Sequence, residues 1–217
     1  MRLLSVNVGL PREIEWKGKI VRTSIFKAPV SGRVRLTKLN LEGDQQSDLS
    51  VHGGLDKAVY VYPSEHYSFW RKELPGVEMP WGMFGENFTT QGSLEDTTVH
   101  IGDHFRVGSA EFVVTQPRMP CYKLGIRFGR ADIIKRFLRA GRAGFYFAVA
   151  QEGDVGAGDE IELLSRDEHG MSVADVVNLY TTDAGNQELL RRASELPALP
   201  ESWREYFGKR LWNPDEV

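Results

Sequence analysis

From Met1 to about Leu164 the apolar positions come in short runs separated by turn residues, not at helical spacing. "LLSVNVGL" is a β-rich run that ends at Gly-Leu-Pro, and "GKIVRTSIFK" carries β-branched and aromatic residues before stopping at Pro29. "GRVRLTKLNLEGD" sets apolar Val34, Leu36, Leu39 and Leu41 against polar neighbours, with one shift of phase near Lys38. Alternation with period 2 buries one face of a strand and wets the other. "KAVYVYP" is a continuous apolar run closed by a proline. "TTVHIGDHFRVGSAEFVVTQP" reads as strand, Gly-Asp turn, strand, Gly-Ser turn, strand, and "GFYFAVAQEGDVGAGDEIELLSR" repeats that rhythm. Many short strands with Gly and Asp turns predict a mainly β, barrel-like or sandwich-like core.

Helical spacing breaks this pattern twice. "SEHYSFWRKEL" places Tyr67, Trp70 and Leu74 on one face, with Ser64 as the expected N-cap and Pro75-Gly76 as the stop. "RADIIKRFLRAGRAG" places Ile133, Ile134, Phe137 and Leu138 together and stops at Gly141. Beyond Arg166 the character changes. "RDEHG" is polar and turn-like, and three short helices follow, the first capped by Ser172, the second running up to Pro197, the third opening with a proline. The pattern predicts a β domain over residues 1–167 and a three-helix domain over residues 168–217. Helices this short are marginal alone, so their apolar faces must pack on one another, on the β core or on a second subunit; a homodimer is one expectation.

The totals narrow the function. A net charge of −3 over 217 residues gives no global field for nucleic acid or acidic membranes, so any anion site must be local. No basic stripe accompanies the aromatic residues, and no nucleic-acid partner is expected. The N-terminal stretch is broken by Pro11, Arg12, Glu13 and Glu15, and no run of about 20 apolar residues occurs; a cytoplasmic protein without a membrane partner is expected. A single cysteine, Cys121, excludes an intrachain disulfide framework and any CxxC zinc site.

That cysteine stands in "QPRMPCYKLG". Pro117 and Pro120 stiffen the backbone and withdraw donors from any sheet ladder, which predicts a loop at a strand end. Arg118 and Lys123 bring positive charge towards the sulfur, and a thiolate is both a nucleophile and a soft-metal ligand. Gly53 and Gly54, flanked by His52 and Lys57, permit positive φ and close backbone approach, as an anion-cradling turn needs, although a hairpin turn explains them as well. "FGENFTT" and "IGDHF" read singly as turns.

In order, the segments "IFKAPVSG…LEGDQQSDLSVHGGLDKAVYVYPSEHY…FGENFTT…IGDHF…QPRMPCYKL" resemble the MOSC family, named for the molybdenum cofactor sulfurase C-terminal domain, in its YiiM-like branch. The resemblance runs from about Gly18 to Arg166, and the helical tail is similar to the 3-alpha domain of that branch. It implies a β-barrel core that holds molybdenum cofactor (molybdopterin with molybdenum), with Cys121 as the protein ligand to the metal. It also implies reduction of N-hydroxylated compounds, such as 6-hydroxylaminopurine, from R–NHOH to R–NH2 and water.

The cofactor's phosphate needs local cations and backbone N–H groups. The expected binding residues are Lys27, His52, Gly53, Gly54, Lys57, Asn87, Arg118 and Lys123, with Arg33 a weaker choice; Asp44 and His52 are assigned catalytic roles beside Cys121. Asp44, Asp56, His52 and Glu86 are the candidate acids, and Tyr60, Tyr62, Tyr122 and Phe145 are candidate stacking partners for a purine. With no flavin fingerprint and no cysteine set for an iron–sulfur cluster, electrons must come from a separate flavoprotein or ferredoxin-type reductase. Two alternatives stay open: a persulfide sulfur-transfer protein using Cys121, and a non-catalytic carrier of the cofactor.

Overall fold

The structure is a computed structural model that describes residues 1–47 and 53–212. Its centre is an eight-stranded sheet. In sheet order the strands are β12 (Ile161–Ser165), β8 (His104–Val107), β9 (Ala110–Pro117), β10 (Phe145–Gln151), β6 (Val59–Pro63), β7 (Phe88–Gln91), β1 (Arg2–Val8) and β4 (Ala28–Pro29). Every pairing is antiparallel except that of β6 with β7. A parallel pair needs a crossover, and helix α1 (Ser64–Glu73) supplies it. The sheet curls so that the segment entering β12 reaches β1: Leu3 N donates to Asp159 O at 2.9 Å, Gly158 N to Leu3 O at 2.7 Å and Ile161 N to Met1 O at 2.9 Å. The segment entering β12 is thereby tied to β1, and the sheet wraps round a core containing Phe88, Phe105, Phe112, Phe145 and Phe147.

The tail folds as α4 (Val173–Thr181), α5 (Gln187–Glu195) and α6 (Glu201–Trp212). Ser172 closes a capping box with Asp175 at the start of α4. Val173, Val176, Leu179, Leu190 and Phe207 join the same apolar cluster as the sheet, so the helices bury their faces on the β core. A second cluster holds Tyr62, Tyr67, Trp70, Phe84 and Phe137 beneath α1 and α3 (Ile133–Ala140). Each such ring contributes roughly 1.5–3 kcal/mol through burial.

Several local expectations are corrected. Residues 12–16 form a strand, β2 (Arg12–Trp16), paired with β3 (Lys19–Thr23) in a two-stranded ribbon. Ile14 and Trp16 are half-buried on one face and Glu13 and Glu15 exposed on the other, an alternation too short to stand out among the charges. Lys17 and Gly18 both have positive φ, 52° and 74°, as the tight turn of this hairpin requires. "TTVHI" forms turns and an isolated bridge from His100 to Ser172 instead of a strand. β5 (Arg33–Leu36) pairs with β11 (Gly153–Gly156) and ends before Leu39, which is exposed. Pro63, not Ser64, is the N-cap residue of α1, with no side-chain capping bond; Ser64 already lies in the first turn. A short helix, α2 (Tyr122–Phe128), begins directly after the cysteine.

Candidate functional site

β9 ends at Pro117, and the Arg118 N–H reaches Gly144 O at 3.1 Å, which keeps the chain beside the start of β10. Gly144 is fixed in turn: its N–H and that of Ala143 donate to Asp96 Oδ1, each at 2.9 Å. Pro120 then turns the chain out of the sheet, and Cys121 takes the N-cap position of α2 in extended geometry. The thiol is partly exposed, as the paired prolines predict for a loop at a strand end.

Cys121 stands on a cleft enclosing about 570 Å³, its open mouth included. Arg118 and Lys123 join it from the same loop. The opposite wall comes from Ser24, Lys27, Asp44 and Ser47; Lys57, Tyr60, Asn87 and Tyr146 complete it.

Its charges fall into two groups. Lys27 Nζ forms a buried ion pair with Asp44, and the same carboxylate accepts from Gly9 N at 2.8 Å and Asn87 Nδ2 at 2.9 Å. Burial pushes the Lys27 ammonium below its usual range, against the pull of Asp44. Asn87 Oδ1 accepts from Tyr60 N at 3.1 Å. This group is saturated and knits the wall together.

The second group is not saturated. Arg118 is buried, its guanidinium 5.4 Å from the Tyr60 ring centre and 5.5 Å from that of Phe137. Its Nη1 has no hydrogen-bond partner among the described residues, and neither has Ser24 Oγ. A buried donor left unpaired costs about 1–3 kcal/mol, more when charged. Lys123 Nζ bonds Ser47 Oγ at 3.1 Å. Burial pushes the Lys57 ammonium down, with Asp56 acting against it, and raises the Tyr146 phenol, which Arg118 opposes. Chemically the cleft offers one thiol, a buried guanidinium whose Nη1 is unpaired, two further lysines and two phenols.

Of the expected residues, Cys121, Lys27, Asp44, Lys57, Asn87, Arg118 and Lys123 line this one cleft. Gly54 has φ 98° and precedes a 3-10 turn, Leu55–Lys57; neither it nor Gly53 is among the lining residues. His52 lies outside the described residues. Glu86 is fully buried and turned inward, accepting from Tyr67 Oη, Gly82 N, Phe84 N and Thr89 Oγ1; it braces the loop before β7. Asp56 is exposed, and its backbone carbonyl accepts from Thr115 Oγ1 at 2.7 Å and Gln116 Nε2 at 3.4 Å. Arg33 pairs with Asp159 on the far surface.

Among the aromatic candidates, Tyr60 lines the cleft while its hydroxyl donates to Ala143 O. Tyr62 and Phe145 belong to the core, and Tyr122 points to solvent. Ser24 and Tyr146 were not expected. Ser24 directly follows β3 and Tyr146 lies at the start of β10, and both reach the cleft through those places.

A family model described as the MOSC domain matches residues 48–162, and one described as the YiiM-like, 3-alpha helix domain matches residues 171–212. YflK of Bacillus subtilis (strain 168) is 44% identical over 208 residues, spanning 96% of this chain and 93% of that protein. A protein of Gibberella moniliformis (strain M3125 / FGSC 7600) named "Reductase" is 34% identical over 198 residues, which are 90% of this chain but 35% of that longer one. The crystal structure of YiiM from Geobacillus stearothermophilus superposes with a TM-score of 0.82 at 35% identity, covering 97% of this chain and 98% of the other. Strands β6 to β11, the cysteine loop and the helical tail thus fall within the matched residues, and the chain belongs to the MOSC domain family, in the YiiM-like branch that carries a C-terminal 3-alpha helix domain.

Proposed function

We propose that this chain is a molybdenum-cofactor-dependent reductase of N-hydroxylated compounds, converting R–NHOH to R–NH2 and water. The observation that carries the reading is the juxtaposition of the accessible Cys121 thiol with the buried, unpartnered Nη1 of Arg118 on one cleft. The donor set fits the cofactor. Among the described residues no cluster of three or more His, Cys, Asp or Glu side chains is placed to hold a bare metal ion. A single thiolate suits a soft metal that brings its other ligands with it. A buried guanidinium with an unpaired Nη1 suits a phosphate.

When bound, the cofactor supplies the two-electron couple that cleaves the N–O bond. Cys121 would ligate the metal through Sγ and must be deprotonated to do so. Arg118 and Lys123 would hold the anionic end, and Ser24 Oγ would take a further acceptor. Lys27, Asp44 and Asn87 keep the wall rigid, so the cleft is pre-organised instead of closing on its contents. Lys57 and Tyr146 are the cleft groups able to hold a proton for the departing oxygen; Asp44 is occupied by its three donors, which argues against the acid role expected for it. Membership of the family and similarity to a protein named a reductase support an oxidoreductase.

Elemental analysis of protein expressed with and without cofactor biosynthesis tests the reading. About one molybdenum per chain is expected in the first case only, with reduction of 6-hydroxylaminopurine under a chemical reductant and loss of both in Cys121→Ser. Cofactor bound without any N-reduction points to a carrier, and a stable Cys121 persulfide without metal to sulfur transfer; either result displaces the proposal.

A further inference from the structure

Residues 118–142 carry eight lysines and arginines against a single acid, Asp132, in a chain whose net charge is −3. The inner cations, Arg118 and Lys123, belong to the cleft. The outer ones stand on α3, where Lys135, Arg136 and Arg139 are exposed. Arg136 is shared between Asp132 at 2.9 Å and Glu73 at 3.7 Å. The side chains of Lys135 and Arg139 have no hydrogen bond or ion pair among the described residues. These three cations, together with the carboxylates Glu73 and Asp132 that Arg136 engages, rim a groove of about 870 Å³, mouth included, between α1 and α3, floored by Phe69, Trp70 and Ala140, which leaves Lys135 and Arg139 as its uncompensated charges. An apolar floor inside a charged rim is the anatomy of a transient protein interface.

The groove backs onto the cysteine cleft. Trp70 stacks on Phe137 with ring centres 5.9 Å apart and planes 7° from parallel. Phe137 also carries the Arg118 guanidinium 5.5 Å from its ring centre, and Arg118 and Cys121 line the same cleft. Two layers of packed side chains therefore separate the two concavities. The chain's single cysteine cannot ligate a cluster of the four-cysteine kind, so electrons must cross its surface.

We propose that the α1–α3 groove docks an acidic redox protein that supplies the electrons consumed in the cleft, a proposal that rests on the reductase reading above. The balance is R–NHOH plus two electrons and two protons giving R–NH2 and water; two reduced one-electron iron–sulfur donors dock in turn and are each oxidised by one electron, or one reduced flavoprotein is oxidised by two, and the protons come from solvent. Opposite charges steer such an encounter, and its affinity falls with salt.

The test uses a plant-type [2Fe–2S] ferredoxin as the acidic probe and the full-length, cofactor-loaded protein. Lys135→Glu with Arg139→Glu should weaken ferredoxin binding at least tenfold at low salt, while the equal charge reversal Lys19→Glu with Arg22→Glu, on the exposed β2–β3 ribbon, should change it less than twofold. Ferredoxin-driven turnover should fall in parallel, and turnover driven by reduced methyl viologen should stay at the wild-type level in both variants. Equal weakening by the two pairs, no salt-dependent binding at all, or tighter groove-dependent binding of a DNA duplex or of anionic lipid vesicles overturns the docking proposal. Absence of viologen-driven turnover in wild type strikes at the reductase reading instead, and leaves the binding comparison readable.

Discussion

Trp203 on α6 donates its indole Nε1–H to Gln116 Oε1 at the end of β9, at 2.7 Å. The contact joins the C-terminal helices to the strand that carries the cysteine loop. Beside it, Thr115 Oγ1 donates to the backbone carbonyl of Asp56 at 2.7 Å, so the same strand end also holds the turn bearing Lys57. The tail therefore buttresses two walls of the cleft, apart from any role in assembly.

Replacing Trp203 by Phe keeps a ring against Tyr180 and Phe207 and removes only the indole donor. The loss of one partly buried hydrogen bond predicts a fall in stability of about 1 kcal/mol, read as a lower urea midpoint at unchanged slope. Trp203→Ala, which also opens a cavity beside Phe207, is expected to cost about 3–5 kcal/mol. Equal midpoints for wild type and both variants would show that the tail does not lean on β9.

The Lys27–Asp44 pair predicts a non-additive result. Asp44→Asn leaves a buried ammonium without its counter-charge, a loss of about 3–5 kcal/mol. The double variant Lys27→Met with Asp44→Asn removes the stranded charge, while the amide oxygen can still accept from Gly9 N. It should be more stable than the single variant, and a double-mutant cycle by chemical denaturation measures the coupling. Additive losses would mean that the two groups do not meet in solution.

Much of this was legible beforehand, and the reason differs from element to element. The alternation of Val34 and Leu36 and the run of Val59 to Pro63 gave strands because one or both faces are buried. β2 was missed although Ile14 and Trp16 alternate with Glu13 and Glu15, because the run is only five residues long and its apolar face is no more than half-buried. α2 hid behind two prolines that promised only a loop. Cys121, Arg118 and Lys123 were legible together because they share a segment twisted out of the sheet. Glu86 reads like a site acid in sequence; only its four donors, drawn from residues 67 to 89, reveal a structural brace. Ser24 and Tyr146 became site residues through the curl of the sheet, which no local pattern encodes.

Glu86 gives a pH-dependent prediction. Burial raises its carboxyl above the ordinary value of 4.5, against the lowering effect of its hydrogen bonds. The folded state then holds a proton that the unfolded chain has already released. Stability from this group is present below the ordinary value and is lost as pH rises through the raised one. Glu86→Gln should be destabilising at pH 4, because the Phe84 N–H loses an acceptor. The gap to wild type should narrow towards pH 7. Parallel stability curves across that range would show that the carboxyl is not raised.

Gly144 links the buried Asp96 carboxylate to the cysteine loop, accepting from Arg118 N on one side while donating to Asp96 on the other. Its φ is +65°, and an added Cβ would lie 2.4 Å from Val61 O, a backbone atom of the neighbouring strand. Gly144→Ala therefore meets both left-handed strain, about 1–2 kcal/mol, and a clash that only a shift of β10 against β6 relieves. The expected outcome is a drop in unfolding midpoint and, on the cofactor-binding reading proposed above, weaker cofactor retention, since the displaced strand shifts Arg118 through its bond to Gly144 O. Asp96→Asn keeps an acceptor for the Gly144 N–H and should retain cofactor better than Gly144→Ala at matched stability. Measuring bound molybdenum after gel filtration in both variants separates a displaced loop from a merely less stable protein: equal retention at equal midpoint would place the effect in global stability alone.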